Sequence, residues 1–271
     1  MAIGSMDDLV AAFIRYPTSI RTDAGTAKAA GQWHSSWYQT GVPGAGSAPT
    51  GALNGATFSG AVAGRIPTPA AVTNEISYLS RLSAVQGGNI GSIQIWDRLW
   101  GNVPVVTTTT AQAITSPTWP ARDASGSTAG EQVWLALECS SATGNVAAVT
   151  NTTVTYTNST GTGSRTATLS SFPATSVQGT IQLFSHQAGD TGVRSVQSLT
   201  LGTSYVSGAV HLIAMRLVAE IHLPTANVGN ALSWTGLNLP AVWDNSVLFA
   251  TVLPIGTSLS AWNASLNYAQ G

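Results

Sequence analysis

Four histidines, one cysteine and eleven carboxylates are the residues of this chain suited to acid–base, nucleophilic or metal chemistry. His34, His186, His211 and His222 stand in no H-E-x-x-H or C-x-x-C spacing that would gather a metal. His211 and His222 are eleven residues apart, which assigns them to opposite faces of one strand. Cys139 ends the run VWLALEC at an inward-facing position, as a small buried hydrophobe would. No G-x-S-x-G turn raises a serine as nucleophile. Glycoside hydrolysis needs two carboxylates roughly 5–10 Å apart, and Glu131 and Glu138 fall on opposite faces of one segment. No glycine loop opens a helix to hold phosphate. Asp7 and Asp8 sit where a helix begins, and that position favours negative charge for capping. The spacings therefore predict no catalytic residue, no metal site and no cofactor.

Composition narrows the partners. The chain has 271 residues, 8% of them charged, with a formal net charge of −1. Globular domains usually carry about 25% charged residues. Ten Lys and Arg in total, thinly spread, do not make the cluster that phosphate backbones or anionic membranes require. No apolar run reaches the roughly 20 residues of a spanning helix. The opening MAIGSMDDLVAAFIRY has no basic n-region and does not read as a secretory signal. A single cysteine excludes a disulfide within the chain. With so little charge, the surface is either hydrated by hydroxyls or covered by neighbouring subunits. Nine tryptophans suit the second case, since Trp is enriched at interface hot spots.

The elements follow from periodicity. Residues 6–16 read as a short helix ended by Pro17. Residues 31–70 are rich in Gly, Ala, Pro and Ser and read as an extended arm. The spacing of Ile76, Leu79, Leu82 and Val85 predicts a second helix over 73–86, closed by Gly87-Gly88. SIQIWDRLW alternates as a strand ending near Asp97-Arg98. From 103 onward, β-branched runs and turn residues recur every 8–12 positions, the pattern of a sandwich. Strands are expected at 133–139, 152–156, 165–169, 177–184, 195–201, 246–253 and 257–268, with 209–223 as a long central one. Between Val149 and Phe172 nine of twenty-four residues are threonine and Arg165 is the one charge. That stretch predicts a hairpin with one apolar face (Val154, Tyr156, Ala167, Leu169) and one hydroxyl face. The expected fold is mainly β: a C-terminal antiparallel β-sandwich, jelly-roll or Ig-like, over 103–271, behind an N-terminal arm region, 1–102, with two short helices.

Three segments, QWHSSWYQTGVPGAGSAP, IQIWDRLWG and QAGDTGVRSVQSLTL, resemble virion structural proteins of tailed bacteriophages. In that group an aromatic, Gly/Ala/Pro-rich N-terminal region precedes a DRLW-like strand and a Thr-rich β domain. The resemblance implies a particle-surface protein of capsid decoration, cement or minor capsid type, with no catalytic residues to carry over. Its partners would be other copies of itself and the major capsid protein, with no nucleic acid and no membrane. Trp33, Trp37, Tyr38, Trp96, Trp100 and Trp134 are the candidate contacts, Trp134 because it alternates outward from VWLALEC. A carbohydrate- or host-receptor-binding module on a tail or head fibre is the alternative, in which exposed aromatic rings stack on a host surface glycan. A cell-wall hydrolase is the third reading, and it requires a carboxylate pair assembled by the fold.

Overall fold

The computed structural model describes residues 3–271 apart from 15, 24, 26, 51 and 258–260. Helix α1 (Met6–Ala12) is capped by Ser5, whose hydroxyl accepts the Asp8 backbone N–H at 3.1 Å. It is shorter than the expected 6–16, because Ile14 already donates its N–H to the Tyr268 carbonyl, a β-type contact. Arg15 of that expectation lies outside the described residues. Strand β1 (Thr18–Thr22) follows, then the two-residue strands β2 (His34–Ser35), β3 (Gly41–Val42) and β4 (Ala56–Thr57). Next come β5 (Ser77–Gln86), β6 (Ile90–Gly101), the short β7 (Gln112–Ala113), β8 (Val133–Ser141), β9 (Val149–Asn158) and β10 (Arg165–Phe172). They are followed by β11 (Ile181–Leu183), β12 (Val193–Thr200), β13 (Ala209–His222) and β14 (Asn230–Ser233). Helix α2 (Trp234–Leu237), β15 (Ala241–Val242), β16 (Leu248–Pro254) and β17 (Trp262–Gln270) complete the chain. The expected strand start at 257 overlaps 258–260, outside the described residues.

Residues 73–86 are not a helix. They form β5, paired antiparallel with β14 on one side and β17 on the other. A register shift opposite Asn267 and Tyr268 adds one residue to β5 between Leu79 and Arg81. Such a bulge turns residues three apart to the same face. Leu79 and Leu82 both point into the core for that reason, at a spacing that imitates a helix. The second short helix is α2 instead.

Three antiparallel sheets result, in a sandwich-like arrangement. The central seven-stranded sheet runs β11-β8-β13-β6-β16-β2, with β4 joined to β6. A four-stranded sheet, β10-β9-β12-β7, covers one stretch of it. Between them lies a core of Val133, Leu135, Leu137 and Cys139 from β8 and Leu212 and Ala214 from β13. Val154, Tyr156, Ala167 and Leu169 meet them from the hairpin β9–β10. A six-stranded sheet, β14-β5-β17-β1-β3 with β15 on β5, covers another stretch. Its core joins Leu82, Trp262, Leu266 and Tyr268 to Ile93, Ile95, Ala219 and Ile221. Each large apolar side chain fully buried in these cores stabilises the fold by about 1.5–3 kcal/mol. A bridge between Thr168 and Ser185 covers the middle of the otherwise free edge of β10, the kind of edge open to pairing with other chains.

The division expected at residue 102 does not follow these sheets. β6 lies between β13 and β16 at the centre of the largest one, and β5 lies between β14 and β17. The 31–70 stretch is not a projecting arm. Trp37, Phe58 and Val62 lie on the second face of the central sheet, against Trp96, Ile213, Met215 and Phe249. Glycine lets this backbone approach closely: a side chain at Gly46 would run into the Trp37 ring.

Candidate functional site

The Thr-rich hairpin presents a regular surface of cross-strand rows. β10 pairs with β9 so that Thr166 faces Thr155 and Thr168 faces Thr153. β12 extends the same rows with Ser198 beside Thr155, Thr200 beside Thr153 and Ser195 beside Thr157. Val154, Tyr156, Ala167 and Leu169 point the other way and are buried. Strand alternation thus separates an apolar inner face from an outer face of hydroxyls. Threonine keeps β propensity without charge. Arg165, beside the hairpin turn, is paired with Asp190 at 2.8 Å. Asp190 also accepts from the Tyr156 hydroxyl at 2.5 Å and the Asn158 amide at 2.7 Å. The Arg165 hydrogen bond, reinforced by those from Tyr156 and Asn158, holds the Asp190 carboxyl far below the usual range.

The six candidate aromatic contacts are scattered. Trp134 is 38% exposed and stacks on His186 at 4.8 Å with an 18° tilt. Trp33 and Tyr38 are partly buried against the second face of the central sheet. Trp37, Trp96 and Trp100 are buried within the chain and offer nothing to a partner. Trp96 donates to Thr251 and Gln94, and Trp100 to the Asn54 carbonyl. Trp37 was expected on an extended arm, and Trp96 and Trp100 among the outward-facing aromatics of their strand. Both faces of the central sheet are covered, so alternation leads from one core into another.

The same second face holds a buried ion pair. Arg98 on β6 grips Glu138 on β8 through both terminal nitrogens, at 3.2 and 2.5 Å. Tyr38 donates its hydroxyl to Glu138 at 3.0 Å. The guanidinium lies 4.7 Å from the Trp37 ring centroid and 5.0 Å from that of Phe58. Burial disfavours a charged Glu138, yet the Arg98 charge and hydrogen bonds outweigh it and keep the carboxyl below its ordinary value. Burial, then the Glu138 charge, pushes the Tyr38 phenol well above its ordinary value.

Asp97, on the opposite face of β6, takes part in a second network. It contacts Arg122 at 3.2 Å and Arg216 at 4.0 Å, and accepts from the Ser246 hydroxyl and the Val247 N–H. Further along the 122–131 loop, Asp123 accepts from the backbone N–H groups of Ser125, Ser127, Gly130 and Glu131. Burial opposes its ionisation, but the hydrogen bonds from Ser127 and its neighbours hold the carboxyl below its usual value. These charges fix strands and loops in place.

No family model and no curated protein matches the chain. A solved structure of T=1 particles derived from infectious bursal virus is similar at 9% identity, over 95% of this chain and 78% of that one, with a TM-score of 0.15. That is a weak likeness to a viral capsid, and at that score it supports no argument about fold or role.

Two of the histidines are held by hydrogen bonds within the fold, and the cysteine is buried. His211 bonds the Ser140 hydroxyl at 2.6 Å and the Asn102 carbonyl at 2.8 Å, and His222 bonds Ser92. Burial pushes the Cys139 thiol up to about 12, away from the reactive thiolate. Among the described residues, no three of His, Cys, Asp and Glu converge as a metal would require. Sequence reasoning did not find the Arg98–Glu138 pair. The available signal was a charged residue inside each of two strongly apolar strands.

Proposed function

We propose that this chain is a non-enzymatic structural protein of a tailed-phage particle, decorating or cementing the capsid surface in contact with the major capsid protein and with other copies of itself. The observation that carries this reading is the outer face of β9, β10 and β12. Its rows Thr168–Thr153–Thr200 and Thr166–Thr155–Ser198 form a neutral hydroxyl surface on a rigid sheet. Such a face can hydrate or pack against another neutral face without stranding a charge. Contacts of this kind are little screened by salt, unlike exposed ion pairs. Repetition over a particle multiplies weak contacts into stable attachment. The placement of charge supports the same reading: Arg98, Arg122, Arg216 and Arg165 are all paired with carboxylates of this chain. The test is electron microscopy of native particles carrying a labelled copy of this protein. The label is expected at regular sites on the capsid surface. A protein that stays a monodisperse monomer and never labels particles of its source overturns the proposal.

A further inference from the structure

The outer face of the six-stranded sheet is organised differently from the threonine face. Its outward side chains form three cross-strand rows. Arg21 stands opposite Asn263, which stands opposite Val85. Ser19, Ser265, Ser83 and Ala231 make the next row. Asn267, Arg81 and Ser233 make the third. Two hollows open on this face, and Arg81 lines both. One, of about 470 Å³, runs over Ser83, Asn230, Asn263 and Ser265. The other, of about 260 Å³, is walled by Phe13 and Ile14 beyond α1 and by Trp234 at the start of α2. Arg81 stands between them, so that together they mark a trough from Trp234 to Asn263; Arg21 lines neither hollow and stands opposite Asn263, one strand beyond.

The chemistry of this trough is unspent. Arg21 and Arg81 are exposed, and among the described residues neither enters an ion pair, whereas Arg98, Arg122, Arg165 and Arg216 all do. No Asp or Glu lines either hollow. Ser83, Asn263, Ser265 and Asn267 turn hydroxyl and amide groups upward from the floor. Strand spacing and rise place the two arginine Cα atoms about 16 Å apart, a span of several sugar rings.

We propose that this trough binds an acidic polysaccharide. Trp234 supplies an aromatic wall beside which a sugar ring can lie. The serines and asparagines match ring hydroxyls, and the two arginines take carboxylates in the two-pronged geometry that favours Arg. An acidic peptide is the competing occupant, and the peptide control below separates the two. The site is separate from the threonine face, so particle attachment and glycan capture are independent properties.

Calorimetry on the purified full chain tests this, with hexagalacturonic acid as acidic probe, maltohexaose as neutral probe and hexaglutamate as acidic peptide control. The acidic sugar is expected to bind at low salt and to weaken as salt rises. Arg81→Ala, Arg21→Ala and Trp234→Ala are each expected to weaken it roughly tenfold or more, about 1.4 kcal/mol, with unfolding midpoints close to that of the parent. Maltohexaose is expected to bind at least about tenfold more weakly. Absence of hexagalacturonate binding, equal binding of hexaglutamate, or unchanged affinity in the folded Arg81→Ala protein overturns the proposal. The assay needs no particle, so its failure is distinguishable from failure of the attachment role.

Discussion

Arg98 and Glu138 meet across an intervening strand, fully buried, with Tyr38 as a third partner. Arg98 stands opposite Met215 and Glu138 opposite His211 on β13, so the two side chains reach diagonally over Ile213. The 33–66 segment closes over them with Trp37 and Phe58. The sheet thus presents a buried charge pair as the docking point of its own N-terminal cover.

Removing one member of that pair leaves the other charge buried without its counter-ion. Glu138→Gln is expected to destabilise the fold by about 3–5 kcal/mol. Arg98→Met combined with Glu138→Leu is expected to cost much less than the sum of the single changes, with a coupling of about 1–3 kcal/mol. Urea unfolding of the parent, Glu138→Gln, Arg98→Met, Glu138→Leu and the double variant checks this. Strict additivity would show that the pair does not act as a unit.

Trp37 is the anchor of the cover. Its ring meets Phe58 and Phe249 edge-on at 5.8 and 6.1 Å, and its indole N–H donates to the Ser47 carbonyl at 2.7 Å. Trp37→Ala is expected to cost roughly 3–5 kcal/mol and to open residues 41–64 to proteolysis before the rest of the chain. Limited digestion with mass mapping reads this out. Cleavage beginning instead in the β9–β12 sheet would contradict it.

His34 predicts a pH dependence. Burial, then the nearby Lys28 charge, lowers its pKa from 6.5 to about 4. Between those values the unfolded chain binds more protons than the folded one, so stability is full above pH 6.5 and falls as pH drops toward 4. The loss amounts to roughly 3 kcal/mol for this group. His186 and His211, also lowered by burial, add in the same direction. Urea midpoints at pH 7 and 4.5 are expected to converge in His34→Gln relative to the parent. An unchanged slope would rule His34 out as a contributor.

Much of the fold is legible in the sequence, for identifiable reasons. VWLALEC alternates cleanly because Val133, Leu135 and Leu137 face one core. AVHLIAMRLVAEIH is apolar on both faces because β13 is sandwiched on both. The hairpin at 149–172 follows from turn residues between two alternating runs. What is hidden depends on partners distant in sequence. Alternation assigns Trp96 a face but does not say that residues 33–66 cover that face. The bulge that aligns Leu79 with Leu82 depends on β17, nearly two hundred residues away. The Arg98–Glu138 pair joins positions 40 apart, and nothing local to either marks the other.

The threonine face offers a substitution that separates attachment from folding. Thr155 lies in the middle of its row, between Thr166 and Ser198. Thr155→Asp places a charge there while the inner core stays intact, so stability is expected to change by less than about 1 kcal/mol. Particle association is expected to fall sharply, because a carboxylate would be desolvated without a partner. Retained association would remove this face from the interface.

Attachment through a neutral hydroxyl surface is tested by co-sedimentation with particles stripped of this protein, across a salt series. Binding is expected to saturate at a fixed number of copies per particle and to persist nearly unchanged from low salt to about 1 M, where the screening length has shrunk to about 3 Å. Failure to bind at any salt, or release as salt rises, would contradict it.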